Sequence, residues 1–400
     1  MAYQPLSVLI KPTSSRCNLH CTYCFYLEKR VLYPWRHAPR LSLETFDRFL
    51  EQYATIAAPY LSFAWQGGEP TLMGLPFYQE VVEHQHAYAA QHAQGQPWVI
   101  TNAIQTNGTL LDDEWAAFFK QWNVLVGVSL DGPPEWHDAS RRDWGGKVTH
   151  ARVLKGIDAL RRHGVDFNIL TVVNQTNVRR PRQLLHYLVD QGYEWLQFIP
   201  CVEVATGHRE GEGVYTPESI TPEQYGYFLN EILEEWLSIG WRRVRIRLFD
   251  NLVQMLLGLP SESCQLAATC GSYVVLEHNG DLYPCDFFVE PPAKLGNILE
   301  QDLSDILAAG GLRRFGEQKL QLHSQCRSCP WRSLCYGECP RYRRMASGQT
   351  ERTLPYFCTS YQRFFRQSIH RLENVAGIVR RELLSQRSVA RAGARRSPPS

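Results

Sequence analysis

The sequence lacks three features that would place it at once in a broad class of proteins. It has no run of 18 or more apolar residues, which argues against a membrane-spanning helix. Its net charge is only +2, so no overall attraction to nucleic acid is expected. Its N-terminal residues have neither the charged start nor the long apolar core of a secretory signal. We therefore expect a cytoplasmic protein with no nucleic-acid partner and no membrane partner.

Cysteine, in contrast, is abundant for a chain of this kind. The 400 residues include 12 cysteines within a composition that is otherwise typical of a folded protein, 44% hydrophobic and 20% charged. A reducing compartment disfavours structural disulfides, so clustered cysteines there more often bind metal or take part in chemistry. Three of them lie within 17–24 and eight within 264–358, and only Cys201 stands apart. This clustering predicts two separate metal-binding regions.

The first 200 residues alternate between β-rich and amphipathic segments. The predicted strands are 7–11, 61–66, 102–107, 124–130, 166–173 and 194–200, and the predicted helices between them are 43–57, 76–92, 112–120, 149–163 and 181–191. Alternation of this kind predicts an α/β fold built on a parallel sheet. Six strand–helix units are too few for a closed eight-stranded barrel, so we expect a partial (β/α)6 barrel of the TIM type, with reactive groups on the loops that follow the strands.

The rest of the chain is predicted to differ from this barrel. We place the barrel at 1–220, a helical bridge at 221–260 and a cysteine-rich domain at 261–370. A hairpin is expected in the cysteine-rich part, with Asn279-Gly280 in a type I′ turn. The segment 371–400 is predicted to be the end of a helix followed by a basic, disordered tail.

The first cysteine group, Cys17, Cys21 and Cys24, has the spacing C-x3-C-x2-C and follows the first predicted strand. Three thiolates at this spacing suit three irons of a [4Fe–4S] cluster and leave the fourth iron open. A zinc site with a distant fourth ligand is the alternative. The sequence GGEP after the second strand, TNG after the third and DG after the fourth put further distinctive residues at the same end of the barrel. That placement favours the iron–sulfur interpretation.

With these motifs the chain resembles the radical S-adenosylmethionine (SAM) superfamily. The resemblance implies that the open iron binds SAM and that one electron cleaves it to methionine and a 5′-deoxyadenosyl radical. It also implies that Gly67, Gly68 and Glu69 of GGEP contact the SAM amino group. We expect the glycines there because a ligand can approach backbone without side chains closely.

Further SAM contacts are predicted on the following loops. Ser129, Asp131 and Arg141 are candidates for the ribose and carboxylate of SAM, since an arginine binds a carboxylate through two parallel hydrogen bonds. Arg142 is an alternative to Arg141. Two more residues are expected near the adenine, Tyr26 and Val202, although Val202 fits an ordinary core position equally well.

The second cysteine group resembles the SPASM extension of peptide-modifying radical SAM enzymes, which carries two auxiliary [4Fe–4S] clusters. From spacing alone, two zinc ribbons are an alternative. The resemblance implies an inner set of ligands, Cys264, Cys270, Cys285 and Cys339, and an outer set, Cys326, Cys329, Cys335 and Cys358. With the first group this gives three [4Fe–4S] clusters. Cys201 is left over and is interpreted as a small buried hydrophobic residue.

The resemblance extends to a narrower family, the anaerobic sulfatase-maturating enzymes. The segments CNLHCTYCFYLEK, FAWQGGEPTL, QTNGTLLDDEW, SLDGPPEWHD, LEHNGDLYPCDFFVEP and CRSCPWRSLCYGECP follow that family in order, over roughly residues 8–367. This resemblance implies that the protein oxidises a sulfatase cysteine or serine to Cα-formylglycine. Asp286 would then be the general base, Gln66 would bind the substrate backbone, and a flavodoxin or ferredoxin would donate the electron.

Two other functions are compatible with parts of this pattern. One is a different SPASM-type enzyme that cross-links or epimerises a ribosomal peptide. The other is a non-catalytic iron–sulfur or zinc scaffold, which would not cleave SAM. We expect a sulfatase-maturating enzyme and not one of these two, because the ordered segments that resemble that family cover most of the chain.

Overall fold

A computed structural model describes residues 6–34, 38–93 and 95–394, and describes side chains as far as residue 386. One sheet of ten strands organises the structure. The strands are β1 (Ser7–Lys11), β2 (Tyr60–Trp65), β3 (Val99–Thr106), β4 (Leu125–Ser129), β5 (Phe167–Val173), β6 (Trp195–Pro200), β7 (Arg245–Ile246), β8 (Tyr273–Glu277), β9 (Asp281–Tyr283) and β10 (Gly296–Asn297).

Fifteen α-helices are present in the described part of the chain. They are α1 (Tyr26–Lys29), α2 (Leu43–Ala57), α3 (Leu75–His92), α4 (Asp113–Gln121), α5 (Pro134–Ser140), α6 (His150–Arg162), α7 (Pro181–Asp190), α8 (Pro222–Ile239), α9 (Arg247–Leu256), α10 (Leu303–Ala308), α11 (Gly311–Gln318), α12 (Ser324–Arg327), α13 (Arg332–Cys335), α14 (Pro340–Ser347) and α15 (Cys358–Ala394). The five helices predicted between the first six strands correspond to α2, α3, α4, α6 and α7.

The first six strands form the predicted partial barrel. They are parallel and lie side by side in chain order, from β1 to β6. Connections of this kind run through helices because consecutive parallel strands need a crossover. The two edge strands of the whole sheet, β10 and β7, do not pair with each other, so the sheet is open. The α/β class and the open barrel are confirmed.

The sheet is longer than the sequence predicts. At one end the short strand β7, from the predicted helical bridge, pairs parallel with β6. At the other end β8, from the cysteine-rich part, pairs parallel with β1 over five residue pairs, from Ser7 with Tyr273 to Lys11 with Glu277. The predicted domain limits therefore do not interrupt the sheet. One continuous sheet carries both cysteine-rich regions.

The hairpin of β8 and β9 differs in its turn from the expected type I′. Val275 lies opposite Tyr283 and Leu276 opposite Leu282. A type I′ turn requires positive φ at both central residues, but in this loop only Gly280 has one, of 87°. The Gly280 N–H donates to the Glu277 carbonyl at 3.0 Å. This is the pattern of a three-residue loop closed by a glycine bulge, in which only one residue needs the left-handed conformation.

The final helix, α15, lies against α8. The Ser360 hydroxyl, near the start of α15, donates to the Pro222 carbonyl at the start of α8 at 2.6 Å. The helix continues to Ala394, so its backbone extends well into the segment for which disorder was expected; residues 395–400 lie outside the described residues. Neither this helix nor any other in the described chain has both the length and the apolar character required to span a bilayer.

Burial along the strands gives a test of this sheet. Leu196, the second residue of β6, is 3% exposed, whereas Leu125, the first residue of β4, is 46% exposed. Leu196→Ala removes packed apolar atoms and should destabilise the protein by about 2–5 kcal/mol. Leu125→Ala should cost less than about 1 kcal/mol. Thermal unfolding midpoints of the anaerobically purified variants measure both, and equal shifts would contradict this arrangement of the sheet.

Candidate functional site

The first cysteine group lies on the loop that follows β1. This loop turns sharply at Ser14, which has a φ of 51°, and its backbone is closed by short hydrogen bonds such as that from the Cys24 N–H to the Cys21 carbonyl at 3.1 Å. Burial raises the pKa of the Cys17 thiol, and Glu69, Cys21 and Cys24 contribute to the rise. Burial likewise raises the pKa of Cys24 to about 12. The three thiols therefore lie together in a largely buried place, with Cys21 buried and Cys17 and Cys24 half-buried, where a bound cation would favour their thiolate form.

The glycine pair of GGEP packs directly against this loop. Gly67 has a φ of 137°, and a Cβ atom there would lie 2.5 Å from the Ser14 carbonyl oxygen. A Cβ on Gly68 would lie 2.2 Å from the Arg16 carbonyl oxygen. We expected the glycines to leave room for a ligand, but the structure shows that they leave room for the backbone of the cysteine loop. Two hydrogen bonds join the loops, from Gly68 N–H to the Ser14 carbonyl at 2.7 Å and from Glu69 N–H to the Arg16 carbonyl at 2.9 Å.

Glu69 joins the loops that follow β2 and β3. Its buried carboxylate accepts four hydrogen bonds, from the backbone N–H and hydroxyl of Thr71, the hydroxyl of Thr106 and the backbone N–H of Asn107, at 2.6–3.0 Å. Burial raises the pKa of Glu69, while these hydrogen bonds act in the opposite direction. The carboxylate is thus already occupied within the protein. Glu69 lies where GGEP predicts, but its side chain joins the loops that follow β2 and β3.

Asn107, in the TNG sequence, reaches from the loop after β3 to the first cysteine. Its amide N–H2 donates to the Asn18 side-chain oxygen at 2.8 Å and lies 3.7 Å from the Cys17 sulfur. The Asn18 amide in turn donates to the Thr109 hydroxyl at 2.9 Å. Sequence reasoning noted TNG but gave Asn18 no role. Together these amides hold Cys17 against the end of the third strand.

Asp131 and Arg141 form a buried ion pair beside Cys21. The Arg141 Nε donates to an Asp131 oxygen at 2.8 Å, and the Tyr23 hydroxyl donates to the same oxygen. The backbone N–H of Val172, on β5, donates to the other Asp131 oxygen at 2.9 Å. Burial raises the pKa of the Cys21 thiol, and the charge and hydrogen bond of Arg141 lower it in part. Both predicted residues are therefore in the site, but they bind each other.

The two remaining candidates on this side differ in their surroundings. Ser129, at the end of β4, is half-buried and its hydroxyl accepts a hydrogen bond from Gln105 at 3.2 Å. Arg142 is exposed, and its guanidinium donates to the carbonyls of Asp138, in α5, and Gly146, in its own loop. The side chain of Arg142 is therefore not directed at the cysteines. Of the two adjacent arginines, Arg141 is the one that the fold directs into the site.

A buried histidine, missed in the sequence, holds this ion pair in place. The Asp131 N–H donates to His137 Nδ1 at 3.3 Å, so this nitrogen carries no proton. His137 Nε2 lies 3.2 Å from the Thr149 hydroxyl, whose own proton goes to the Arg141 carbonyl at 2.7 Å. Nε2 is therefore the protonated nitrogen. Only a neutral imidazole fits this chain of hydrogen bonds, and burial accordingly lowers the pKa of His137 to about 4.

Asp286 lies at the same end of the sheet, brought there by the pairing of β8 with β1. The Tyr26 hydroxyl is 2.7 Å from both Asp286 oxygens, and Lys11 forms an ion pair with Oδ1. The Lys11 ammonium also lies 4.3 Å from the centre of the Tyr26 ring. Tyr26 was expected near the adenine of SAM, but its hydroxyl is bonded to Asp286. Lys11 was not predicted, because its strand position suggests only a sheet residue.

The loop after β6 adds a third ion pair. Arg341 binds the Glu203 carboxylate, and its guanidinium lies 4.3 Å from the Phe287 ring, next to Asp286. Burial raises the pKa of Glu203 to about 7, an effect that Arg341 partly offsets. Val202 is 1% exposed and packs in the main hydrophobic core. Gln66 is half-buried after β2, and its N–H donates to the Ile10 carbonyl at 3.0 Å.

The later cysteines separate into two groups. The pKa of Cys339 is raised by burial and then by Cys285, Cys264 and Cys270. The pKa of Cys358 is raised to about 11 by burial, with contributions from Cys326 and Cys329. Cys339 thus groups with the inner thiols and Cys358 with outer thiols, as the resemblance implies; that the two sets bind clusters stays a prediction. Cys201 is 3% exposed and packs with Cys21 and Tyr23, as expected of a buried hydrophobic residue.

The outer set lines one cavity at the surface. Cys326, Cys329, Cys335 and Cys358 surround it, together with the aromatic rings of Trp331, Tyr361 and Phe365. In the described residues no three His, Cys, Asp or Glu side chains converge closely enough to bind a single metal ion. Thiolates that each bind a different iron of a cubane lie farther apart than the ligands of one ion, and four thiols around one apolar cavity fit such a cluster.

Two buried cations accompany these cysteines. Lys319 is fully buried and donates to the Cys264 and Gln265 carbonyls at 2.7 and 2.8 Å, so its ammonium lies beside the inner set. Arg343 is also fully buried and hydrogen-bonds the carbonyls of Gly337, Lys319 and Tyr336, at 2.9–3.2 Å. Its charge acts on cysteines of both sets. Positive charge at these positions favours the anionic state that thiolates and an iron–sulfur cluster require.

Comparison with known families identifies two regions of the chain. Residues 12–188 match the Radical SAM superfamily, and residues 268–330 match SPASM, an iron–sulfur cluster-binding domain. The first match includes the cysteine loop, the glycine pair and the Asp131–Arg141 ion pair. The second covers part of the inner and outer cysteine sets. The two families thus coincide with the two groups of cysteines.

Several relatives match over nearly the whole chain. A serine-type anaerobic sulfatase-maturating enzyme of Bacteroides thetaiotaomicron is 37% identical over 97% of this chain and 94% of its own length. A cysteine-type enzyme of Clostridium perfringens is 35% identical over 94% of this chain and 100% of its own length. The solved structure of native anSMEcpe with bound AdoMet and Cp18Cys peptide superposes with a TM-score of 0.84 at 35% identity, covering 94% of this chain and 99% of that one.

The neutral His137 predicts a pH dependence of stability. Its pKa is about 4 in the folded protein and about 6.5 in an unfolded chain. Below pH 6.5 the unfolded chain binds a proton that the folded one does not, so stability falls as the pH drops from about 6.5 towards 4. The loss approaches about 3 kcal/mol at most. Urea unfolding from pH 7.5 to 5 should show this fall in the wild type and a weaker one in His137→Gln, with exposed His370→Gln as control. Parallel pH curves for wild type and His137→Gln would contradict it.

Proposed function

The chain belongs to the anaerobic sulfatase-maturating enzymes of the radical SAM superfamily, and on that basis we propose that it oxidises a cysteine or serine of a sulfatase to Cα-formylglycine. The observation that carries the proposal is the position of Asp286. Its carboxylate, bound by Lys11 and Tyr26, lies where the cysteine loop leaves β1. A base at this point is beside the place where SAM chemistry would occur.

The cofactors follow from the family and from the thiol sets. Radical SAM and SPASM proteins bind SAM and iron–sulfur clusters; we propose three [4Fe–4S] clusters, one for each set of cysteines. When bound, SAM and the cluster at Cys17, Cys21 and Cys24 supply a 5′-deoxyadenosyl radical that removes a hydrogen atom from the substrate Cβ. Four of the later eight thiols line one cavity and the other four group around Cys339, which supports the count of three.

We assign the SAM-binding roles to two groups of residues. The backbone of Gly67 and Gly68, together with half-buried Ser129, lines the end of the barrel and is proposed to contact SAM. Asp131 and Arg141 are proposed to support the SAM site without contacting SAM themselves, because their charges are already paired with each other beside Cys21. Glu69 joins the loops after β2 and β3 through its four accepted hydrogen bonds, and its backbone N–H donates to the Arg16 carbonyl of the cysteine loop.

Asp286 is proposed to accept the thiol or hydroxyl proton of the target residue. The Lys11 ammonium forms an ion pair with one oxygen of this carboxylate. The Tyr26 hydroxyl fixes its orientation through hydrogen bonds to both oxygens. A base held in this way needs only to lie within hydrogen-bond reach of the proton. Gln66, half-buried beside GGEP, is proposed to bind the substrate backbone.

The partners and compartment are part of the same proposal. The substrate is a sulfatase polypeptide, consistent with the peptide in the solved structure of anSMEcpe. A flavodoxin- or ferredoxin-type protein is proposed as the electron donor. The cytoplasm is the proposed compartment, since eleven of the twelve cysteines must remain available as thiolates.

The role of Asp286 is tested by Asp286→Asn. The amide keeps the shape of the side chain but cannot act as the base. SAM cleavage should therefore persist, while aldehyde formation falls by about 100-fold or more. Deoxyadenosine and aldehyde are measured in the same reaction by liquid chromatography and mass spectrometry. Lys11→Met should show the same uncoupling in weaker form. If Asp286→Asn makes aldehyde at the wild-type rate, the base is another residue.

The function itself is tested with a peptide. Anaerobic incubation with SAM, a reductant and a peptide containing Cys-x-Pro-x-Arg should give the formylglycine product. The triple variant of Cys17, Cys21 and Cys24 to Ala should lose SAM cleavage completely but keep the visible absorbance of the auxiliary clusters. A peptide that is cross-linked or epimerised instead of oxidised would contradict sulfatase maturation, and SAM cleavage by the triple variant would contradict the first cluster site.

A further inference from the structure

The side chain of Asn107 is held in one orientation by a closed ring of hydrogen bonds with Asn18 and Thr109. The backbone N–H and the hydroxyl of Thr109 donate to Asn107 Oδ1 at 3.0 and 2.7 Å. The Asn18 amide donates to that hydroxyl at 2.9 Å, and Asn107 Nδ2 donates back to Asn18 Oδ1 at 2.8 Å. Because a backbone N–H can only donate, the atom that it meets is the amide oxygen of Asn107. The orientation of this amide therefore follows from its partners.

This orientation places an N–H of Asn107 at the sulfur of Cys17. One hydrogen of Nδ2 is used by Asn18, and the nitrogen lies 3.7 Å from Cys17 Sγ, so the second hydrogen is available to the sulfur. The Leu19 N–H donates to the same sulfur at 3.3 Å. Asn18 Oδ1 also lies near it, at 3.8 Å, but a thiolate has no proton to donate to that oxygen. As a thiolate, Cys17 thus has two N–H donors, one from its own loop and one from the loop after β3.

Asn107 is fixed from its own side of the barrel, independently of the cysteine loop. It follows β3 directly, and its backbone N–H donates to Glu69 Oε2 at 2.7 Å. Asn107 is 7% exposed, so little water competes for its amide. In such a buried place a hydrogen bond is stronger than in water, and more so when one partner is charged. A donor that is already buried and oriented can act on the thiolate without rearrangement.

The charged group near these thiols is less suitable for the same role. Arg141, beside Cys21, is paired with Asp131 at 2.8 Å, so its charge is already used within the protein. Replacing it would leave a buried carboxylate without its partner. Asn107 is neutral, and it can be replaced without removing a charge from the site.

We propose that Asn107 is a positioning residue that acts through Cys17 on the reduction potential of the iron–sulfur cluster of the first cysteine group. This inference rests on the proposed function insofar as Cys17, Cys21 and Cys24 bind that cluster. Hydrogen bonds to the sulfurs are among the factors that set the potentials of such clusters. Reduction transfers one electron, and no atom, from the flavodoxin- or ferredoxin-type donor, so the cluster with its thiolates gains one negative charge. An N–H donor stabilises the more negative state, and Asn107 therefore raises the potential.

The test is a potentiometric titration of the full, cluster-reconstituted protein, followed by electron paramagnetic resonance. The variant with Cys17, Cys21 and Cys24 replaced by Ala gives the signal of the auxiliary clusters, and subtracting it leaves that of the first cluster. Asn107→Ala should lower the equilibrium constant for reduction of this cluster about threefold to tenfold, a shift of about 30–60 mV to more negative potential. Asn107→Asp replaces the N–H by a negative charge and should shift the potential further in the same direction. Unchanged potentials in both variants would overturn the proposal.

Asn102 provides the matched control. It lies on β3, is 8% exposed, and its side chain bonds Trp65 at 2.9 Å and Gln85 of α3 at 2.8 Å, on the side of the sheet that α3 covers. Asn102→Ala also removes a buried amide with its hydrogen bonds, so it measures the effect of loosening the strand. The first cluster should keep its wild-type potential in this variant. A shift as large as that of Asn107→Ala would show a general structural effect, and the proposal would be wrong.

A further variant decides the case in which Asn107→Ala holds too little iron to be titrated. Thr109→Val leaves Asn107 in place but removes the hydroxyl that donates to its Oδ1 and accepts from Asn18. The amide is then less firmly oriented, so the potential should fall in the same direction, by less than in Asn107→Asp. If Thr109→Val keeps the wild-type potential while Asn107→Ala loses its iron, Asn107 only supports the fold of the site.

These measurements separate the inference from the proposed function, because the potential is measured without peptide. A wild-type protein that shows the first-cluster signal but forms no aldehyde contradicts the proposed function alone. Equal signals from the wild type and the triple cysteine variant would contradict both. SAM cleavage by Asn107→Ala should be slower than wild type with flavodoxin and close to wild type with titanium(III) citrate, a stronger reductant. Slow cleavage with both reductants at an unchanged potential would assign Asn107 to SAM binding instead.

Discussion

Strand β1 is paired along both edges, with β2 on one side and β8 on the other, and the site depends on this double pairing. The β2 side carries the glycine pair that supports the cysteine loop. The β8 side brings the hairpin that ends in Cys285 and Asp286. Because Lys11 pairs in register with Glu277, a shift of one residue would turn Lys11 to the opposite face of the sheet, away from Asp286. One register therefore fixes the relation between the two halves of the protein.

Buried charges are the second constraint on this structure. A buried ion pair is costly unless its hydrogen bonds are complete. Asp131 meets this condition, since its oxygens accept from Arg141, Tyr23 and the Val172 N–H. Glu69 meets it with four donors. The hydrogen bonds that offset the cost of burying these carboxylates also join segments that follow or belong to neighbouring strands.

The cysteine-rich part is subject to a different constraint, because many thiols lie close together there. Burial and mutual repulsion favour the protonated thiols, whereas cluster binding requires thiolates. Lys319 and Arg343 supply positive charge inside, beside the cysteines. Their charge thus favours the thiolate form of the ligands.

The sequence by itself determined the elements and the chemistry of the site. Hydrophobic periodicity was sufficient for the six barrel strands, since each needs a buried face, and the spacing of Cys17, Cys21 and Cys24 indicated one shared cluster. In both cases the information lies within a few neighbouring residues. The resemblance to a family added the role of Asp286, directly after Cys285, and the division of the later cysteines.

Only the tertiary structure decided which groups meet. Lys11, His137 and Arg343 carry no local signal, and their roles arise from contacts with residues more than a few positions away or from burial. Tyr26 and Glu69 were recognised as site residues, but their partners, Asp286 and the loop after β3, are set by strand order. Long-range pairing such as β1 with β8 depends on the free edge that the whole sheet leaves, and no local pattern of residues encodes it.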